Sequence, residues 1–445
     1  TRSSHQAQML HRDLELLSTG DLPVLLFPDH ETLPYDPFSP HPDIIAERLK
    51  TLSMLSMLNK GILLCPVSSL MQKLPPAGYI LQRSFNLAEG DRLVIGDFRR
   101  QLDHAGYTAS EQVYQAGQYA VRGSVIDLFP AGSSNPYRID LFDEDIDTIR
   151  IFDAESQRST GKVERIELLP AREFPCDEAG LEGFRKAFRN RFDVDTRHVN
   201  LYQDLRQGIL PQGLEQYLPL FYGETSFLLD YLDHPPHSVL QAGTEKAAKD
   251  MSRRTLERWE QRRHDVERPV LDPEELFFQP EEITTRLDEL TVTHLPDDES
   301  RQPARPRFST APAPDLHIHE RGKEPAADLL SFLEGFGGRV LFAADTPGRR
   351  EVMRTSLAAF GIRPEPFDDV PGFQAGEAAS GLALLHIEDG FISLSDGEQE
   401  LALLTESQLF GGRSRPKTEK QVSERDPEAI IRNLTDLSEG APVVH

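Results

Sequence analysis

The spacing of apolar and polar residues changes several times along the chain, and each change predicts an element. Residues 24–27, VLLF, form a short apolar run ahead of a Pro-rich polar loop, which predicts a strand and its exit. Over residues 43–59 the period becomes helical, with Ile45, Leu49, Leu52 and Leu55 falling near i, i+4 and i+7. Asp43 suits the start of that helix, and Gly61 is placed to stop it. GILLCPVSSL then reads as one continuous apolar strand, the kind buried on both faces of a parallel sheet. Strand, helix and strand with short links predict an α/β unit.

Between residues 85 and 169 the period falls to two. YAVRGSVIDLFP, PYRIDLF, IDTIRIFD and VERIELLP are runs of this kind, and AGSSNP and DED punctuate them as turns. They predict a small antiparallel sheet. The helix ahead of it, GDFRRQLDHAGY, puts Phe98 and Leu102 on one face and ends at Gly106. From residue 177 the chain turns helical again, with Leu181, Phe184 and Phe188 at helical spacing. SVLQAG, residues 238–243, is a short strand candidate. Residues 246–263 form a charged helix carrying Trp259; its arginines alternate with acids and read as a solvated face rather than a nucleic-acid contact.

Residues 296–314 hold too few apolar residues to pack and read as linker. A second α/β pattern follows over 315–412, with strands at RVLFAAD (339–345), GLALLHIED (381–389) and ELALLTES (400–407). EPAADLLSFLEGFG and PGRREVMRTSLAAFG supply its helices. A basic linker and a short helix come next, and APVVH opens a further element. With Thr1 in place of an initiator Met, both ends read as those of a piece of something longer.

A length of 445 residues suits two to four domains, and 38% hydrophobic with 27% charged residues supports folded cores. The formal net charge of −25 disfavours phosphate binding by the surface as a whole. Two cysteines, Cys65 and Cys176, make neither a disulfide framework nor a zinc spacing, so a reducing compartment is the default. No run of 18 apolar residues suggests a membrane span. No GK[ST], HExxH or CxxC occurs, and SVLQAG ends without acids to hold Mg²⁺. His317 and His319 in HIHE share one face of a strand, which reads as surface at a linker exit. Asp143, Glu144 and Asp145 read as a solvated hairpin turn. No catalytic, cofactor-binding or metal-binding residue is expected.

One face does ask for an explanation. In Tyr137-Arg138-Ile139-Asp140-Leu141-Phe142, alternation sends Tyr137, Ile139 and Leu141 to a core. Arg138, Asp140 and Phe142 take the other side, and Arg122 is expected on the neighbouring strand, ahead of Gly123. Two readings stand: an exposed Phe shielded by arginine stems, or a protein-binding face, since Arg and aromatic residues are enriched at binding hot spots.

YAVRGSVIDLFPAG and PYRIDLFDEDIDTIRIFDAESQRS resemble the second domain of the excision-repair protein UvrB, and more closely the same module of the bacterial transcription-repair-coupling factors. ETLPYDPFSPHPDIIAERLKTL and IIRNLTDLSEGAPVVH resemble that family too, while residues 296–412 do so only weakly. The resemblance implies a multidomain α/β fold. Residues 1–84 and 170–290 would make one degenerate helicase-like (RecA-type) α/β domain, split by a small antiparallel β-rich α+β insert, 85–169, that binds UvrA. Residues 291–314 would be linker, 315–412 a smaller α/β domain of unknown role, and 413–445 a linker with the start of an RNA-polymerase-interacting domain. The UvrA-binding positions of the family fall on Arg122, Arg138 and Phe142.

The implied role is recruitment of UvrA to stalled RNA polymerase in transcription-coupled nucleotide-excision repair, in the cytoplasm. The stretch itself would not be an enzyme; ATP, Mg²⁺ and DNA would belong to a translocase motor beyond His445, and a C-terminal domain would be an intramolecular partner. Two departures set it apart from UvrB. The phosphate-binding loop is absent from this sequence, its usual region lying before Thr1, and the seven residues between Tyr35 and Asp43 leave no room for a DNA-probing hairpin. The rival expectations are a UvrB-like excinuclease subunit and an autoinhibitory scaffold for the motor.

Overall fold

A computed structural model describes residues 1–18, 22–295, 310–318, 325–387, 389–395 and 398–410. The chain divides into two compact units, Thr1–Met9 with Val24–Ser300 and Leu10–Pro23 with Arg301–His445. Both mix helices with sheets, which agrees with a multidomain α/β chain.

In the first unit Val24–Leu26 pairs in parallel with Ile62–Leu64, and the helix Pro42–Leu55 connects them. Pro42 at the first helical position loses no hydrogen bond there. His41 caps the end, its Nδ1 accepting from the Asp43 amide at 3.3 Å. Ile45, Leu49, Leu52 and Leu55 are buried against Leu25, Phe27, Tyr79 and Ile80, and also against Leu228 and Tyr231 from far along the chain. The helix ends at Ser56 rather than at Gly61, through turn bonds from Met57 to Met54 and from Leu58 to Leu55. The apolar run after Gly61 is also not one strand. Pro66 has no N–H to give a ladder; its carbonyl instead accepts from Ser69 and Leu70, so Val67–Leu70 is a helical turn.

Further along, Glu178–Arg191 is a helix with Phe184 and Phe188 fully buried in an aromatic cluster with Tyr217. His237–Gln241 is the predicted strand, and its parallel partner is Thr291–Leu295. Residues 291–295, read as linker, therefore belong to the sheet of this unit. The charged helix spans Thr244–Arg262; Arg253 pairs with Asp250 and Glu257, and Arg263 just beyond it with Glu260. Burial pushes the Cys65 thiol up to about 12, and that of Cys176 likewise.

A buried ion pair ties together residues 125 positions apart in sequence. Arg48 donates through Nε to Glu173 Oε1 at 2.8 Å and through Nη1 to the Pro28 carbonyl at 2.8 Å. Its guanidinium lies 4.2 Å from the Phe27 ring centroid. His30 Nε2 stands 3.0 Å from the other Glu173 oxygen. Burial alone would raise the Glu173 carboxyl, but Arg48 and His30 outweigh it and hold it at about 2.

Residues 85–169 form a sheet module whose two ends pair with each other, Phe85–Ala88 running antiparallel to Arg165–Leu168. Between them lies a six-stranded sheet in simple sequence order: Thr108–Ala109, Gln118–Arg122, Val125–Leu128, Tyr137–Phe142, Asp145–Phe152 and Ser159–Val163. All pairs are antiparallel except the first. The helix Ile95–His104 lays Phe98 and Leu102 on the buried face, with Tyr119, Ile126, Leu128, Ile139 and Ile149. Gly106 follows that helix with φ +84°, and a Cβ there would sit 2.6 Å from Arg172 Cγ, so both conformation and space call for glycine.

The second unit is a six-stranded sheet in the order Thr310–Pro312, Phe391–Ser395, Glu398–Thr405, Arg339–Ala344, Ser380–Leu384, Glu365–Phe367. Four strands are mutually parallel and two antiparallel strands close one edge. The central strand is buried through Val340, Leu341, Phe342, Ala343 and Ala344, which is why it reads as unbroken apolar sequence. The helices Ala327–Gly335 and Pro347–Ala359 lie where their periodicity puts them. Thr310–Pro312, read as linker, is an edge strand here. His317 lies in irregular chain between buried Leu316 and Ile318, not on a strand. His319 and the elements expected over 413–445 lie outside the described residues.

Candidate protein-docking face

The outer face of the six-stranded sheet is set by hairpin geometry. Gly123, at φ +64°, turns the chain tightly so that Arg122 pairs with Val125. The strand Val125–Leu128 therefore lies between Arg122 and Tyr137–Phe142, and the expectation that those two segments are neighbours is corrected. Strand pairing places Ala120, Asp127, Arg138, Arg150 and Lys162 in one cross-strand row. Arg122, Val125, Asp140 and Thr148 make the next row. Side-chain alternation keeps both rows on the same face, away from buried Ile126, Ile139 and Ile149.

Asp127 is the centre of this face. Its side chain is fully buried. Arg138 grips it in a two-pronged fork, Nε to Oδ1 at 2.6 Å and Nη2 to Oδ2 at 2.9 Å. Arg122 Nη2 also donates to Oδ2. Arg138 spends Nη1 on the Gln157 carbonyl at 3.2 Å, and its guanidinium lies 4.9 Å from the ring centroid of buried Phe152. The bonds to Asp127 hold that guanidinium above its ordinary pKa. A second, parallel arrangement sits beside it: Asp140 Oδ2 accepts from Arg150 Nε at 3.1 Å, from Arg150 Nη2 at 2.6 Å and from Thr148 Oγ1 at 3.1 Å.

Exposure separates these residues. The side chain of Arg138 is 19% exposed, against 47% for Arg122 and 42% for Arg150. Phe142 is 78% exposed, the most of any large hydrophobic residue among those described. It stands at the strand end, where Asp143 at φ +58° turns the chain into Asp145, so the acidic trio is a hairpin turn as read.

The structure thus brings Arg122 and Arg138 together on one carboxylate and puts Phe142 on the same face, beyond Asp140. Asp127 and Arg150 were missed by sequence reasoning. Both lie in the polar phase of their strands, VIDL and IRIF, but only the strand order shows which arginines they meet. The face offers directional donors from its arginines and one bare ring, Phe142. Among the described residues no group of three or more His, Cys, Asp or Glu is placed to hold a metal. No described helix is long and apolar enough to cross a membrane.

Comparison with known proteins places this face inside a recognised module. Residues 85–174 match the family described as UvrB interaction domain, and residues 332–409 match the MFD D3 domain. The chain is 39% identical over 449 residues to the transcription-repair-coupling factor of Haemophilus influenzae, covering all of this chain and 38% of that protein. It is 38% identical over 439 residues to the Escherichia coli protein of the same name, covering 97% of this chain and 37% of that one. The Bacillus subtilis protein of that name is 26% identical across the whole chain. The chain spans somewhat more than a third of the length of these relatives.

Proposed function

We propose, for a chain that belongs to the transcription-repair-coupling-factor family, that it recruits UvrA to stalled RNA polymerase through the outer face of residues 85–169. Phe142 enters an apolar pocket on UvrA, and Arg122 and Arg138 belong to the same binding face. The observation that carries this reading is a bare aromatic side chain beside a buried arginine–carboxylate network, within the segment that matches the UvrB interaction domain. Aromatic and arginine side chains are the types enriched at protein-binding hot spots.

Around that face the proposed architecture is a degenerate helicase-like domain of residues 1–84 and 170–290, interrupted by the docking module and followed by a linker and a third domain over 315–412. The shared core of residues 25–80 with Leu228 and Tyr231 supports joining the two outer segments, as does the Arg48–Glu173 pair. In the whole protein an ATP-driven DNA translocase, a polymerase-binding domain and a masking C-terminal domain lie elsewhere, and the protein works in the cytoplasm. This stretch needs no cofactor for its own part.

The test is equilibrium binding of purified UvrA to the intact chain and to its Phe142→Ala variant. Loss of an anchor of this kind costs about 2 kcal/mol or more, roughly thirtyfold in Kd. Phe142 is exposed, so the far-UV spectrum and melting curve should not change. Unaltered UvrA affinity in the variant would sink the proposal.

A further inference from the structure

The docking face carries a third arginine, and its place differs from that of the two expected. Arg138 and Arg150 stand directly opposite each other in register. Like charges at that spacing repel unless each has its own counter-ion. Each does: Asp127 for Arg138 and Asp140 for Arg150. Arg122 shares Asp127, so three guanidinium groups meet two carboxylates.

Their donors are spent unequally. Arg138 gives Nε and Nη2 to Asp127 and Nη1 to Gln157, and it leans toward Phe152, at the end of the sheet away from Phe142. Arg150 gives Nε and Nη2 to Asp140, while its Nη1 takes no partner among the described residues. Those two bonds draw its head from the row of Arg138 into the row of Asp140, two residues and about 7 Å along the strand from Phe142. Arg122 lies in that same row, two strands over, about 10 Å to the side.

We infer that the docking face extends across Asp145–Phe152 to Arg150, which contacts the partner directly beside Phe142, and that Arg138 is mainly a strut positioning the face. This rests on the docking role proposed above and specifies its chemistry. The matching surface on UvrA is an apolar socket with a carboxylate on either side, one facing Arg122 and one facing Arg150. Asp140 holds Arg150 ready, which lowers the cost of ordering a long side chain on binding.

The experiment measures UvrA affinity for the intact chain and for Phe142→Ala, Arg150→Ala and Arg150→Gln at low and moderate salt. Arg150→Gln removes the charge while keeping a donor for Asp140, and it serves if the alanine variant folds poorly. Expected is roughly a tenfold loss for either Arg150 variant, with a shallower salt dependence than the parent because a charged contact has gone. If Phe142→Ala weakens binding while both Arg150 variants stay within twofold of the parent, the inference is overturned and the docking role stands. If none of the three changes affinity, the docking role fails and the inference with it.

Discussion

At the residue scale the outer face depends on a residue that makes no outward contact. Asp127 is fully buried and accepts bonds from Arg138 and Arg122. A buried ion pair is often no more stable than a well-packed apolar pair, yet removing one partner leaves an uncompensated charge and costs about 3–5 kcal/mol. Asp127→Ala should therefore destabilise strongly, because Arg138 is mostly buried and has no second carboxylate in its fork. Adding Arg138→Met to that variant should recover part of the loss, since the stranded charge goes too. Urea titrations of the two variants and the parent check this. A loss below about 1 kcal/mol in Asp127→Ala, or a double variant worse than the single, contradicts the strut assignment. The residue types of the face were legible from alternation: Arg122, Arg138 and Phe142 all fall in the polar phase, and Phe142 is bare. What alternation cannot supply is which strand lies next to which. Arg122 was therefore set beside the wrong strand, and Asp127, the residue between the arginines, went unnoticed.

At the element scale, period predicted where helices and strands form, and local chemistry decided where they stop. The helix Ile95–His104 leads into Gly106, whose left-handed φ and contact with Arg172 exclude a side chain. Gly106→Ala should lose about 1–2 kcal/mol from the left-handed conformation alone, and more if the Arg172 stem cannot move aside. A thermal melt of the intact chain reads this directly, and an unchanged midpoint would mean that the turn re-forms with another φ. The misread boundaries share a cause. ILLCPVSSL is apolar except for Ser68 and Ser69, so hydropathy does not tell strand from helical turn, and the break comes from the missing amide of Pro66. Thr291–Leu295 and Thr310–Pro312 are short edge segments without a sustained apolar alternation. They exist because a distant strand offers a ladder, and that information is not local to their sequence.

At the scale of the whole molecule, the first unit holds segments far apart in sequence through Arg48 and Glu173, and that link makes its stability depend on pH. The folded Glu173 carboxyl titrates at about 2, below its ordinary 4.5, because Arg48 and His30 overcome the effect of burial. A group depressed on folding contributes fully above its unfolded value and loses that contribution as pH falls through the folded one. The stabilisation is therefore intact above about pH 4.5 and disappears between there and about pH 2. A shift of this size corresponds to something on the order of 3 kcal/mol, with little solvent screening at so buried a site. Glu173→Gln keeps the shape and removes the titration. It should be less stable than the parent at neutral pH, where it leaves Arg48 buried without its counter-ion, and its stability should change much less between pH 4.5 and pH 2.5. Calorimetric melts of both proteins across that range decide the matter: parallel decline in parent and variant would place the acid sensitivity elsewhere, whereas convergence of the two curves toward low pH assigns it to this one carboxylate.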